Sequence, residues 1–290
     1  MTTMENKSIV EKILYFPLTK IIMGLIFIVL IYAASLYFLR ELFKLSSMSN
    51  ELNSFFTGAI SSVLAIFLYI RFYGYYEKRE VTEFSAHGII SNLATGILLG
   101  MLLQSLTIFV IYLKGGFTII SVNTLSFLIP GLTMGFSSAI IEEILVRGII
   151  FRIIEEKLGS YMALIISALI FGAMHLANPN SSLIAALGLA IQAGLLLAAA
   201  YIYARNLWFP IAIHFAWNFT QSGIFGAIVS GTELQKSLLT TKIEGATWFT
   251  GGLFGPEGSV QATLFCLMAT IILLVLSHKH NRLIKPYWKQ

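Results

Sequence analysis

The chain alternates long apolar runs with short polar ones. Eight runs read as candidate helices: 21–39, 52–70, 89–113, 126–151, 161–177, 182–204, 207–229 and 259–277. A helix needs about 20 mostly apolar residues to cross the hydrocarbon core of a bilayer, and these runs are of that order. The first lies between Lys20 and Arg40, and Arg40 and Glu41 stand where a signal peptide would carry its small-residue cleavage site. It therefore reads as a retained span. The longest polar stretches are 71–87 and 230–258, and neither an internal repeat nor a long soluble insert interrupts the pattern. The expected architecture is all-α: a polytopic membrane protein of about eight transmembrane helices, forming one integral-membrane domain over 1–290.

Composition strengthens that expectation. Hydrophobic residues make up 57% of the chain and charged residues only 11%, against about 25% charge in soluble domains. The net charge of +5 does not point to nucleic acid, because the basic residues gather at the edges of the apolar runs. With the N-terminus placed in the cytoplasm, 13 of the 19 lysines and arginines fall on inside segments and 5 on outside loops, with Arg147 inside a run. Cytoplasmic loops carry an excess of Lys and Arg, so both termini are expected inside. The single cysteine, Cys266, excludes an intrachain disulfide and any multi-cysteine metal site.

Against this background, ionisable residues within the runs stand out. Such groups cost several kcal/mol each in hydrocarbon and mark functional sites. Here they concentrate in three runs. The fourth carries Glu142, Glu143 and Arg147, the fifth ends at His175, and the seventh carries His214 and Asn218. Glu143 and Arg147 stand at i,i+4 and can pair. His214 and Asn218 share that spacing and can face one cavity, whereas Glu142 points about 100° away from Glu143.

The fourth and fifth runs form a hairpin with its tip near Lys157–Ser160, and Glu142 and His175 are equidistant from position 158.5. They should stand at the same height. Glu142 lies ten residues from Arg152 and His214 nine from Arg205, or about 15 Å and about 14 Å of helix. The three runs therefore place their polar groups at one depth. A lone mid-span histidine or asparagine ordinarily bonds neighbouring helices together. Two histidines and a glutamate at one depth point to chemistry instead.

The exclusions narrow that chemistry. All 14 acidic residues are glutamates, so an aspartyl protease is ruled out. The zinc-protease helix signature H-E-x-x-H is absent. The nearest approach to a G-x-S-G nucleophile motif, Gly135-Phe136-Ser137-Ser138, fails at its last position. What remains is a glutamate, two histidines and an amide, a set suited to hydrolysis by an activated water. A proton or ion relay, or a non-catalytic interaction role, is the competing reading. The lack of an inverted repeat or paired broken helices argues against a transporter.

The series Glu142-Glu143-x-x-x-Arg147, Phe171-x-x-x-His175 and His214-x-x-x-Asn218 resembles the three-motif signature of the CAAX-protease and bacteriocin-processing family. These are intramembrane endopeptidases, also called type II CAAX prenyl proteases. The segment 251–258, Gly-Gly-Leu-Phe-Gly-Pro-Glu-Gly, resembles a late stretch of many bacterial members, and the motif-bearing core covers about 126–260. The resemblance implies that Glu142 and His175 activate water and that His214 and Asn218 form an oxyanion hole. It implies that Glu143, Arg147 and Phe171 support the site. No cofactor is then required; the alternative is zinc held by Glu142, His175 and His214. The implied partner is a peptide or protein substrate at a lipid bilayer, most simply a bacterial cytoplasmic membrane. Processing of CAAX-type tails, secreted peptides or bacteriocins, or self-immunity, would be the setting. Glu257 reads as part of a turn or re-entrant loop on the outer side.

Overall fold

The computed structural model describes residues 8–289. With no water in the bilayer core to satisfy peptide groups, apolar segments must close their hydrogen bonds within helices, and helices dominate the chain. After a short helix at Ile9–Leu14 come α1 (Pro17–Phe43), α2 (Asn50–Glu77) and α3 (Ile89–Leu113). Pro17 opens α1 at its first turn, where a missing N–H costs nothing. Ser49 caps α2 by accepting from the Leu52 amide. The motif region follows as α4 (Leu128–Glu143), a π-helical stretch (Ile144–Phe151) and α5 (Arg152–Met174). Then come α6 (Leu183–Leu189), a second π stretch (Ala190–Gly194), α7 (Leu195–Ala204), α8 (Trp208–Asn218) and a third π stretch (Phe219–Ile224). The last long helix is α9 (Val260–Lys279), capped by Ser259.

Among the described residues, six helical runs are long and apolar enough to cross a membrane. This makes the chain an α-helical, multi-pass integral membrane protein. One of the six spans 125–177, covering both the fourth and the fifth runs of the sequence. It reverses direction at Gly159, whose φ of 78° and ψ of 169° are not helical. A Cβ there would sit 2.8 Å from the Pro286 nitrogen, so the bend needs glycine for both conformation and space. The seventh run forms α8 and its π continuation, which together fall short of a standard span. Lys7, one of the cations assigned to the inside, lies outside the described residues.

The all-α expectation needs one addition. Strands β1 (Phe117–Val122) and β2 (Leu239–Ile243) pair antiparallel, with Phe117 opposite Ile243 and Val122 opposite Leu239. The register shifts between Ile119 and Ser121. Period-two alternation is too short here to stand out beside the long apolar runs, and β2 lies inside the polar stretch 230–258.

Burial is uneven. In α1 only 11% of the most apolar window is buried, against 56% for 183–204. α1 therefore lines the periphery and α7 the centre, where Ala198, Ala199 and Ala200 are fully buried. Small side chains let backbones approach. At Gly194 an added Cβ would stand 2.9 Å from the Ala168 Cα of α5.

Candidate active site

The reversal at Gly159 brings the end of α4 beside the end of α5. Glu142 and His175 are 33 positions apart, about 50 Å along a straight helix, yet His175 Nε2 lies 3.8 Å from Glu142 Oε2. Helix α8 adds His214, whose Nε2 lies 3.9 Å from the same oxygen. Glu142 Oε2 is buried and has no hydrogen-bond partner. Two ring nitrogens and an unpartnered carboxylate oxygen thus face one another beyond direct bonding distance.

The backbone fixes the ring of His175. Its Nδ1 stands 2.8 Å from the Phe171 carbonyl one turn back, and a carbonyl can only accept, so Nδ1 carries the proton. The Nε2 lone pair is left facing Glu142. His214 is fixed differently, with Nδ1 3.0 Å from Glu143 Oε1. The same oxygen accepts from Arg147 Nη1 at 2.8 Å, and both partners of that ion pair are fully buried. Arg147 also donates to the carbonyls of Ala193 and Gly194 at 3.2 and 3.0 Å. Arg147 lies in the first π stretch, and its acceptors end the second. Single-turn π segments recur at functional sites because they interrupt the regular i→i−4 ladder. Phe171 packs beneath this group, with the Arg147 guanidinium 4.6 Å from its ring centroid and the His175 ring 4.7 Å away.

Asn218, the last residue of α8, points its amide at Ser138 Oγ, 3.1 Å away on α4. A cavity of about 240 Å³ opens over the group, lined by Glu142, His175, His214, Asn218 and Ser138 among others. At about 30 Å³ each in the liquid, several waters or part of a peptide fit there. Of the seven residues singled out in the sequence, five line this cavity: Glu142, Phe171, His175, His214 and Asn218. Glu143 and Arg147 stand behind it.

The cavity also has walls that sequence reasoning did not assign. These include Ser138, Gln192, Trp217, Ser230 and Glu257. Glu257 does occupy a tight turn, Pro256–Gly258, but it is only 3% exposed and faces the cavity. Burial pushes its carboxyl above the ordinary range, against the opposing pull of hydrogen bonds from Ser230 and Gln221. The glycine-rich segment around it was the available signal. Cys266, buried in α9, also lines the cavity.

Two donors around a tetrahedral zinc, each at about 2.1 Å, stand about 3.4 Å apart. The 3.8 and 3.9 Å separations here are wider. Among the described residues no group of three or more His, Cys, Asp or Glu side chains is arranged to hold a metal ion.

No curated protein and no solved structure matches the chain. Residues 124–220, a third of the chain, match the family described as Type II CAAX prenyl endopeptidase Rce1-like. That segment contains α4, the reversal at Gly159 and every one of the three motifs, so the match to this peptidase family falls on the candidate site itself.

Proposed function

We propose that the protein is an intramembrane endopeptidase in which Glu142 and His175 activate a water. The observation that carries this reading is the unpartnered, buried Glu142 Oε2 facing two imidazole nitrogens at 3.8 and 3.9 Å. A water in that gap can donate one hydrogen to Glu142 and the other to the Nε2 of His175.

The reaction follows from these contacts. The water oxygen attacks the scissile carbonyl carbon while its proton passes to Glu142. The carbonyl oxygen becomes an oxyanion, stabilised by the Asn218 amide and by the Nε2 proton of His214 in its imidazolium form. The Glu143 carboxylate faces Nδ1 on the other side of that ring. Glu142 then hands its proton to the leaving nitrogen as the C–N bond breaks, returning as a carboxylate. Arg147 holds Glu143 in place, and Phe171 fixes the His175 tautomer through its carbonyl.

In this reading the two limbs of 125–177 and the α8 segment each traverse the bilayer, giving eight crossings with both termini cytoplasmic. Substrates are peptides or membrane-anchored proteins, either CAAX-type tails or, in a bacterial cytoplasmic membrane, secreted peptides and bacteriocins.

The test is cleavage of lipidated and unlipidated peptides by the purified protein in liposomes. Wild type runs beside Glu142→Ala, each with and without a chelator. Cleavage that is lost in the variant and indifferent to chelator supports the glutamate-dependent route. Loss with chelator would turn Glu142, His175 and His214 into zinc ligands. A folded wild type that cleaves nothing but moves protons across the liposome would replace the protease by a relay.

A further inference from the structure

The same cavity carries a second acidic wall that the hydrolytic chemistry does not use. Glu257 reaches it from the turn before α9. One of its oxygens, Oε1, accepts from the Ser230 amide at 2.6 Å and the Ser230 hydroxyl at 2.5 Å. Neither donor brings a charge. Among the described residues no lysine or arginine lines the cavity, so the carboxylate faces it without a counter-ion there. Gln192 lines it too. Its amide nitrogen donates to Thr263 Oγ1 at 2.7 Å, and its carbonyl oxygen is buried with no donor at all. Gln192 is 1% exposed and Glu257 3%. A buried carboxylate without a counter-ion and an orphaned amide oxygen are both costly unless something supplies donors.

From this wall we infer that Glu257 and Gln192 form a specificity subsite for a cationic group of the substrate, a lysine or arginine side chain or a free amino terminus. The inference rests on the endopeptidase reading and names the substrate class that this site would take. A cationic group carries several N–H donors and no acceptor, which complements an acceptor-only wall. Its positive charge also offsets the burial that pushes the Glu257 carboxyl upward. The subsite lies within electrostatic reach of His175, so a cation seated there lies near the reacting bond. The carboxylate and the amide oxygen come from different elements, the turn before α9 and the second π stretch. A neutral substrate would leave the Gln192 oxygen without a donor and the Glu257 carboxylate without a counter-ion, which is how a polar pocket rejects an analogue lacking the matching group.

The experiment takes a peptide that wild type cleaves in liposomes. Each position is replaced in turn by lysine or by norleucine, which matches its alkyl stem without the charge. A parallel pair carries a free or an acetylated amino terminus. The readout is the ratio of kcat/KM between the charged and neutral members. We expect the ratio to exceed unity by about 10- to 100-fold at one position or at the terminus, the range for hydrogen bonds to a charged group. It should collapse toward unity in Glu257→Gln, which keeps an acceptor for Ser230, and fall part of the way in Gln192→Met. Thermal unfolding of both variants checks that they fold. A wild type without charge preference would overturn the inference. So would a uniform loss of rate in Glu257→Gln with the ratio intact, which would make Glu257 a positioning residue for His175.

Binding of the same peptides to the protein in lipid nanodiscs, followed by fluorescence anisotropy, separates the two readings. A wild type that binds cationic over neutral peptides but cleaves neither keeps the subsite and removes the protease. One that cleaves without discrimination does the reverse.

Discussion

Among the described residues, two clusters of charge contrast in how fully their members are paired. Near one end of α2 and α5, Lys20, Arg79 and Arg152 meet Glu77, Glu83 and Glu156. Each of these carboxylates has a cation within 2.7 Å: Lys20 and Arg79 on Glu77, Arg79 on Glu83, and Arg152 on Glu156. Tyr69 adds its hydroxyl to Glu83. Three cations answer three anions. At the candidate site, two carboxylates share one cation. Glu143 takes Arg147, and Glu142 keeps an oxygen with no partner facing two histidines. A closed network fixes helices against one another, whereas an open one leaves a group free to act on something else. The difference lies in the missing counter-ion: each carboxylate near α2 has a lysine or arginine against it, and Glu142 has none.

The comparison breaks most sharply at Glu142. Glu142→Gln preserves shape and removes the base, so cleavage should fall by about 10²- to 10⁴-fold. Stability should hold, because the lost oxygen bonds nothing. Arg152→Met in the closed cluster should act oppositely. It strips a cation from Glu77 and Glu156 and should cost about 3–5 kcal/mol of stability, while the folded fraction cleaves at the wild-type rate. Thermal unfolding paired with kcat per folded molecule distinguishes the two. If Glu142→Gln unfolds the protein while cleavage per folded molecule persists, the open cluster is structural after all.

Arg147 tests whether the open cluster has a closed half. Arg147→Met leaves the Glu143 charge buried with only His214 beside it, at a cost of about 3–5 kcal/mol. Adding Glu143→Gln should recover part of the loss, because the uncompensated charge disappears with its partner. Denaturant unfolding of the single and double variants measures the recovery; strict additivity would mean that the pair is not coupled.

Asn218 comes next. Asn218→Ala should lower kcat by about 10²- to 10³-fold, as loss of one oxyanion donor does, with little change in KM. An increase in KM alone would move Asn218 from the reacting oxygen to substrate binding.

The sequence carried much of this contrast. Equal distance from position 158.5 placed Glu142 and His175 at one height, and they stand 3.8 Å apart. The i,i+4 spacing of Glu143 and Arg147 predicted a pair, and it forms at 2.8 Å although Arg147 lies in a π stretch. Neither result needed knowledge beyond helix geometry. The π stretches themselves were illegible, because the apolar pattern through Ile144–Phe151 is as continuous as in the α-helical turns around it. The wall residues were illegible for another reason. Gln192 and Ser138 look like the polar residues that any membrane helix tolerates, and only tertiary packing decides which of them meets a partner. Glu257 was visible as a charge within a glycine-rich turn. Its burial depends on how that turn folds against the 228–232 segment, where Gly255 packs so close that an added Cβ would collide with the Ile228 carbonyl oxygen.

The smallest expected effect concerns that turn, and its sign follows from burial. Glu257, like Glu142, has no lysine or arginine paired with it, and burial raises its pKa above the ordinary 4.5. The folded protein therefore holds this proton more tightly than the unfolded chain does. Its stabilising contribution is complete below the unfolded value and is lost as pH rises through the folded one. Glu257→Gln cannot titrate, so the melting temperature of wild type relative to this variant should decline as pH rises above the ordinary carboxylate range. Adding the lysine-bearing peptide should flatten the decline, because a cation beside the carboxylate brings the folded pKa back down. A relative stability that rises with pH would mean that the two Ser230 donors outweigh burial and already hold the carboxylate charged. Glu257 would then belong with the closed cluster near α2, a group whose partners are all within the protein.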